Sequence, residues 1–160
     1  MITRRIDWLA RQMYSRARPI GREQIFAGFA AALAELTGEP ASAPELIAHE
    51  EVSGAEFLGY WAQHQTWRIR SGTLAWVCRI DPILASMGVS GEEHQWACEG
   101  LSAGVVVRGA ALSSGRSFSH ARLELEGLSA DQAEALSARF AAAFPPIMTD
   151  AELTAELGPG

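Results

Sequence analysis

The feature that most constrains this chain is the alternation of residues 66–80 about one Ser71-Gly72 pair. Residues 66–70 and 73–80 are rich in β-branched and aromatic side chains, and the Ser-Gly pair between them suits a two-residue hairpin turn. With that turn, Arg70 stands opposite Thr73, Ile69 opposite Leu74, Arg68 opposite Ala75 and Trp67 opposite Trp76. Trp67, Ile69, Leu74 and Trp76 then share one face, and Arg68, Arg70 and Thr73 share the other. The apolar residues gather on one side because register and period agree, so an antiparallel sheet with a buried face is expected. A second strand pair, about 103–111 and 117–126, is expected around the turn at Ser113 to Arg116. Its first strand holds Val105, Val106 and Val107, a run that suits a strand covered on both faces.

Helical periodicity supplies the other layer. Ile2, Ile6, Leu9 and Met13 fit one stripe of a helix over residues 3–16, with arginines on its other faces. Residues 1–18 therefore read as a basic amphipathic helical arm, broken by Pro19 and Gly21. A second helix is expected over 22–37, with Ile25, Phe26, Phe29, Leu33 and Leu36 as its core stripe and Gly38 as its C-terminal cap. Five Ser or Thr residues with Glu or Gln three positions on match the capping box: Ser42/Glu45, Ser53/Glu56, Ser90/Glu93, Ser129/Gln132 and Thr149/Glu152. They predict helices near 43–50, 54–64, 91–99, 130–143 and 150–157, the last a short acidic helix within a tail from 149 to 160. The expected fold is α+β, with N-terminal helices followed by an antiparallel sheet of two hairpins (66–80 and 103–126) and helices packed on it. The order of elements over residues 20–143 is similar to that of vinyl-reductase-type and vesicle-tethering small-subunit domains. That likeness is topological, and it implies no particular site residue or activity.

A length of 160 residues suits one domain, 1–160, able to bury a core without staples. No apolar run approaches the ~20 residues of a membrane-spanning helix, and the arginine-rich start is unlike a signal peptide. Two cysteines, Cys78 and Cys98, do not make a disulfide scaffold. All 13 basic residues are arginine, which excludes lysine Schiff-base chemistry and a phosphate-loop lysine. Residues 1–22 carry a net charge of +5 and the remainder −11, within a total of −6. General nucleic-acid binding is disfavoured by that balance, whereas a local basic contact through Arg4, Arg5, Arg11 and Arg16 is expected.

Candidate chemistry is sparse. The segment from Gly100 to Gly104 matches G-x-S-x-G around Ser102, but a nucleophile elbow needs a strand before it and a helix after it, and here the expected order is reversed. His94 and Cys98, four apart on an expected helix, share a face, yet two ligands are not a metal site, and Cys78 falls on a core face. His49, Glu50 and Glu51 are adjacent and point apart, as at a solvated helix end. His120, with Glu92, Glu93 and Glu99, completes the groups capable of proton transfer. Phe57, Tyr60 and Trp61 are able to pack under the first hairpin or line a pocket for a flat apolar ligand. Three functions follow as expectations. The first is a non-catalytic accessory or binding module of a bacterial cytoplasm, acting through protein contacts with a partner or as a homodimer. The second is a carrier or sensor of a small apolar or tetrapyrrole-like ligand between helices and sheet, with Phe57, Trp61, His94 and Cys98 as pocket residues. The third is a small enzyme using His94 or His120. No cofactor and no metal is expected.

Overall fold

A computed structural model describes residues 2–11, 22–51, 63–85, 88–114 and 118–143. Its elements are β1 (Ile2–Arg11), α1 (Arg22–Thr37), β2 (Glu45–Glu51), β3 (Gln63–Ser71), β4 (Leu74–Ala85), β5 (Gly88–Glu99), β6 (Val106–Ser114), β7 (Phe118–Leu128) and α2 (Ala130–Ala143). The strands form one seven-stranded sheet in the order β1-β7-β6-β5-β4-β3-β2, and every neighbouring pair is antiparallel. Strands β2 to β7 thus follow one another as a meander, and β1 returns to pair with the last of them. The mixed α+β class holds. The layout of two separate hairpins behind N-terminal helices does not, and with it goes the element order on which the topological likeness rests.

Period-two patterning decides which face is covered. Ile69 and Ser71 on β3, Trp76, Cys78 and Ile80 on β4, His94 and Trp96 on β5, Val107 and Ala111 on β6, and Ala121, Leu123 and Leu125 on β7 are all buried. Alternating with them, Arg70, Arg79, Gln95, Arg108, Glu124 and Glu126 are exposed. Strand β6, expected to be covered on both faces, is covered on one, since Arg108 between Val107 and Gly109 is exposed. Both helices lie on the apolar face, and their buried residues (Ile25, Phe26, Phe29, Ala32 and Leu33 on α1; Ala133, Leu136 and Phe140 on α2) join the same core. Burying the Ile, Leu and Phe side chains among them contributes about 1.5–3 kcal/mol each, which is what holds the two layers together.

Phe29 is the centre of the helix–sheet contact. Its ring stacks on Trp96 at 4.2 Å between centroids and meets the edges of Trp76 at 5.4 Å and Phe140 at 5.6 Å. Room for it comes from Gly109, the register partner of Trp96, where any Cβ would lie 2.0 Å from Phe29 Cε1. The Trp76 indole N–H donates to the Phe29 carbonyl at 2.9 Å, pinning the helix backbone to β4.

The expected hairpin exists with its turn one residue further on. Ser71 pairs with Leu74, Ile69 with Trp76 and Trp67 with Cys78, leaving Gly72 and Thr73 in the turn. Gly72 has φ +55, whereas only glycines among the described residues have positive φ, which matches a turn with glycine at its first central position. Moving the turn by one residue shifts the register by two, so the parity of the faces, and the clustering of Trp67, Ile69, Leu74 and Trp76, is preserved. Helix α1 and its Gly38 cap match expectation, with Gly38 N–H donating to Ala34 O at 2.8 Å and φ +73. Helix α2 also matches: Ser129 N–H donates to Gln132 Oε1 and Gln132 N–H donates to Ser129 Oγ, both at 3.2 Å, a complete capping box.

Three expected helices are strands. The arm helix over 3–16 is replaced over residues 2–11 by β1, paired with β7 from Ile2↔Leu128 to Arg11↔Phe118. The helix near 43–50 is β2, and that near 91–99 is β5. Ser42, expected to cap the first of these, instead bridges to β3: its N–H donates to Arg70 O at 2.7 Å and its Oγ accepts from Arg70 N–H at 2.9 Å. The helix expected over 54–64 lies outside the described residues up to position 62 and gives way to β3 from Gln63; the helix at 150–157 lies wholly outside them. Among the described residues, no helix is long and apolar enough to cross a membrane.

Candidate functional site

Where α1 begins, the covered face of the sheet turns polar. Arg22 opens the helix, and Gln65 on β3, Cys78 on β4, and Glu92 and His94 on β5 face it from below. Glu92 and His94 are two apart, so on a strand they share a face. The Arg22 guanidinium grips the Glu92 carboxylate with both edges of its fork: Nε donates to Oε2 at 3.1 Å and Nη2 donates to Oε1. Its Nη1 donates to Gln65 Oε1 at 3.0 Å, and the same oxygen accepts the Trp67 indole N–H at 3.0 Å. The guanidinium carbon also lies 5.9 Å from the centroid of the Trp67 ring, within cation–π range.

His94 continues the chain inward. Its Nε2 lies 3.1 Å from Glu92 Oε2, and because an ionised carboxylate only accepts, Nε2–H is the donor. Its other nitrogen, Nδ1, faces Cys78 Sγ, 4.0 Å away. Phe26 closes the cluster from the helix side, with ring centroids 5.4 Å from Trp67, 5.5 Å from Trp96 and 6.0 Å from His94.

The electrostatics grade from wet to dry along this relay. Arg22 and Glu92 are partly exposed, whereas His94 and Cys78 are 0% exposed. Burial alone would raise the Glu92 pKa, but the hydrogen bonds from His94 and Arg22 outweigh it and hold the carboxyl at about 2. Burial drives the Cys78 thiol far above its ordinary value, and the Arg22 charge offsets this only in part. A thiol, an imidazole and a carboxylate in line resemble the parts of a nucleophilic triad. Nucleophilic attack, however, needs a thiolate that a substrate reaches, and here both thiol and imidazole are sealed under Phe26 and α1. The arrangement is suited to clamping the start of α1 onto three strands.

The expected site residues are dispersed. His94 and Cys98 share a face of β5, as they would on a helix, but four residues of extended strand separate them by about 13 Å, too far to ligate one ion. Burial pushes the Cys98 thiol up to about 12, with Glu99 adding to the effect. Phe57, Trp61 and Arg16 lie outside the described residues. Arg4, Arg5 and Arg11 fall on β1 at the edge of the sheet, opposite Leu125, Glu124 and Phe118. Ser102 is exposed in the connection between β5 and β6, so strands flank it on both sides and the elbow geometry is missing. His120 stands on β7 opposite Leu9 and Leu112. His49 and Glu50 are exposed on β2, not at a helix end. On the open face, Asp81 is bound by Arg79 Nε at 3.0 Å and by His64 Nδ1; these bonds overcome its burial and lower its pKa. Among the described residues no three His, Cys, Asp or Glu side chains gather as a metal site.

Sequence reasoning misses the joining of Arg22, Gln65 and Cys78 to Glu92 and His94. The available signal is the Glu-x-His spacing at 92 and 94. On a helix those residues point about 200° apart; on a strand they align. The chain matches no protein-family model, and comparison with curated proteins and with solved structures finds no match.

Proposed function

We propose that the chain is a non-catalytic accessory or binding module of a bacterial cytoplasm, acting through protein–protein contacts. The observation that carries this reading is the sealing of Cys78 and His94, both 0% exposed, in the one array of nucleophile, base and carboxylate among the described residues. Among the described residues, one sheet face of mixed charge carries no helix and the two edge strands pair on one side only, features that suit a macromolecular surface better than a small substrate. Isolation of a tagged chain at its native level tests it. A polypeptide recovered in fixed proportion supports the reading; recovery of the chain with only a small molecule overturns it.

One observation favours a second reading, a carrier or sensor of a small apolar or tetrapyrrole-like ligand between helices and sheet. Among the described residues the Trp96 indole nitrogen has no hydrogen-bond partner, although the residue is only 3% exposed. A buried donor left unpaired costs about 1–3 kcal/mol, and an acceptor on a ligand beside His94 and Phe26 would recover it. Colour in the purified protein, or quenching of tryptophan emission by such a ligand, supports this reading.

A further inference from the structure

The two edges of the sheet carry opposite charge. At one edge, β2 holds Glu45, Glu50 and Glu51 and no arginine. Residues 42–50 are all exposed, and Leu46 and Ile47 are 41% and 42% exposed, the large exposed hydrophobics among the described residues. At the other edge, β1 holds Arg4, Arg5 and Arg11 against Asp7. Among the described residues each strand is hydrogen-bonded to one neighbour, β2 to β3 and β1 to β7, which leaves the outer row of backbone donors and acceptors of each without a strand partner there. Natural edges are usually blunted by proline, a bulge or a covering element. Here β2 bulges between Leu46 and Ala48 but contains no proline.

Resting on the reading of this chain as a protein-binding module, we propose that its partner is a second copy, with β1 of one chain adding to β2 of the next. Charge selects this pairing. Two β2 strands paired with each other bring six carboxylates into one ribbon, and like charges facing across strands are destabilising. In an antiparallel pairing of β1 with β2 that sets Trp8 opposite Ala48, Arg5 falls opposite Glu51 and Asp7 opposite His49, up to the bulge that interrupts β2 between Leu46 and Ala48. Opposite charges then face each other along the unbulged part of β2. Such a contact uses different surfaces on the two copies, so it propagates head to tail and does not stop at a dimer unless the rotation closes a ring.

Sedimentation velocity of the full chain over a range of concentrations, at about 20 mM and about 500 mM salt, tests the proposal. The expected result is a sedimentation coefficient that climbs with concentration at low salt and falls back at high salt. Glu50→Arg/Glu51→Arg makes both edges basic, and Arg4→Glu/Arg5→Glu makes both acidic. Each variant, shown folded by circular dichroism, is expected to remain monomeric alone and to associate when the two are mixed. A wild-type chain that stays monomeric at low salt overturns the proposal, as does a Glu50→Arg/Glu51→Arg variant that associates like wild type. A monomeric wild type that still co-isolates a different polypeptide defeats this inference alone; a monomer that co-isolates none defeats the protein-binding reading as well.

Discussion

Replacing Gly109 by alanine puts a methyl group where the Phe29 ring already lies. The new Cβ sits 2.0 Å from Cε1 and 2.6 Å from Cζ, whereas carbon atoms in contact rest about 3.5–4.0 Å apart. The ring must therefore retreat by about 1.5 Å or more. It has nowhere cheap to go, because it is held against Trp96, Trp76 and Phe140. Overpacking of this kind costs typically about 1–3 kcal/mol, and pushing the ring off three aromatic neighbours at once places Gly109→Ala at the upper end. Backbone propensity argues the opposite sign, since glycine within a strand is about 0.5–1 kcal/mol worse than alanine. Urea denaturation followed by tryptophan fluorescence separates the two: the midpoint falls sharply if Phe29 covers Gly109. Phe29→Leu in the same chain, by shortening the intruding side chain, is expected to recover part of the loss, a coupling that only neighbours show. An unchanged or raised midpoint in Gly109→Ala would refute the packing of α1 on β5 and β6.

Three further outcomes follow from the site and its supports. Glu92 has a folded pKa of about 2 against an ordinary 4.5, so its stabilising contribution is complete above the ordinary value and is lost as pH falls from there through about 2; acid titration of wild type is expected to show this loss, on the order of 3 kcal/mol at most, and Glu92→Gln to lack it. Ser129→Ala removes the hydroxyl that accepts from Gln132 N–H and is expected to lower stability by about 1 kcal/mol in thermal unfolding. Alkylation by iodoacetamide near neutral pH is expected to leave Cys78 untouched until the chain unfolds, because burial keeps its thiol protonated and covered.

The fold is most legible in the sequence where a spacing of two is visible, and least legible where the spacing is four. Positions i and i+4 share a face on a helix and on a strand alike. Ile2 and Ile6 therefore fit both, and while Leu9 and Met13 complete a helical stripe, Trp8 and Ala10 complete the strand pattern equally well. His94 and Cys98 repeat the ambiguity on β5, where the deciding residues are Trp96, buried, and Gln95, exposed. The capping-box match is likewise a local signal that needs a helix behind it. Ser129/Gln132 precedes a real amphipathic run, but Ser42/Glu45 and Ser90/Glu93 precede segments that long-range pairing with β3, β4 and β6 holds extended. The cluster around Arg22 is hidden for the same reason. Its members come from α1, β3, β4 and β5, and only the sheet register joins them.

If the chain works through its surface, as proposed, and the Arg22–Glu92–His94–Cys78 relay only supports the fold, binding depends on the sheet edge and not on the relay. Measuring how much of the wild type's co-isolated polypeptide, a second copy included, is retained by His94→Asn and by Glu50→Arg/Glu51→Arg tests it most directly. Full retention by a folded His94→Asn chain, together with loss by the edge variant, is the predicted result. Loss by His94→Asn at wild-type stability, with retention by the edge variant, would contradict it.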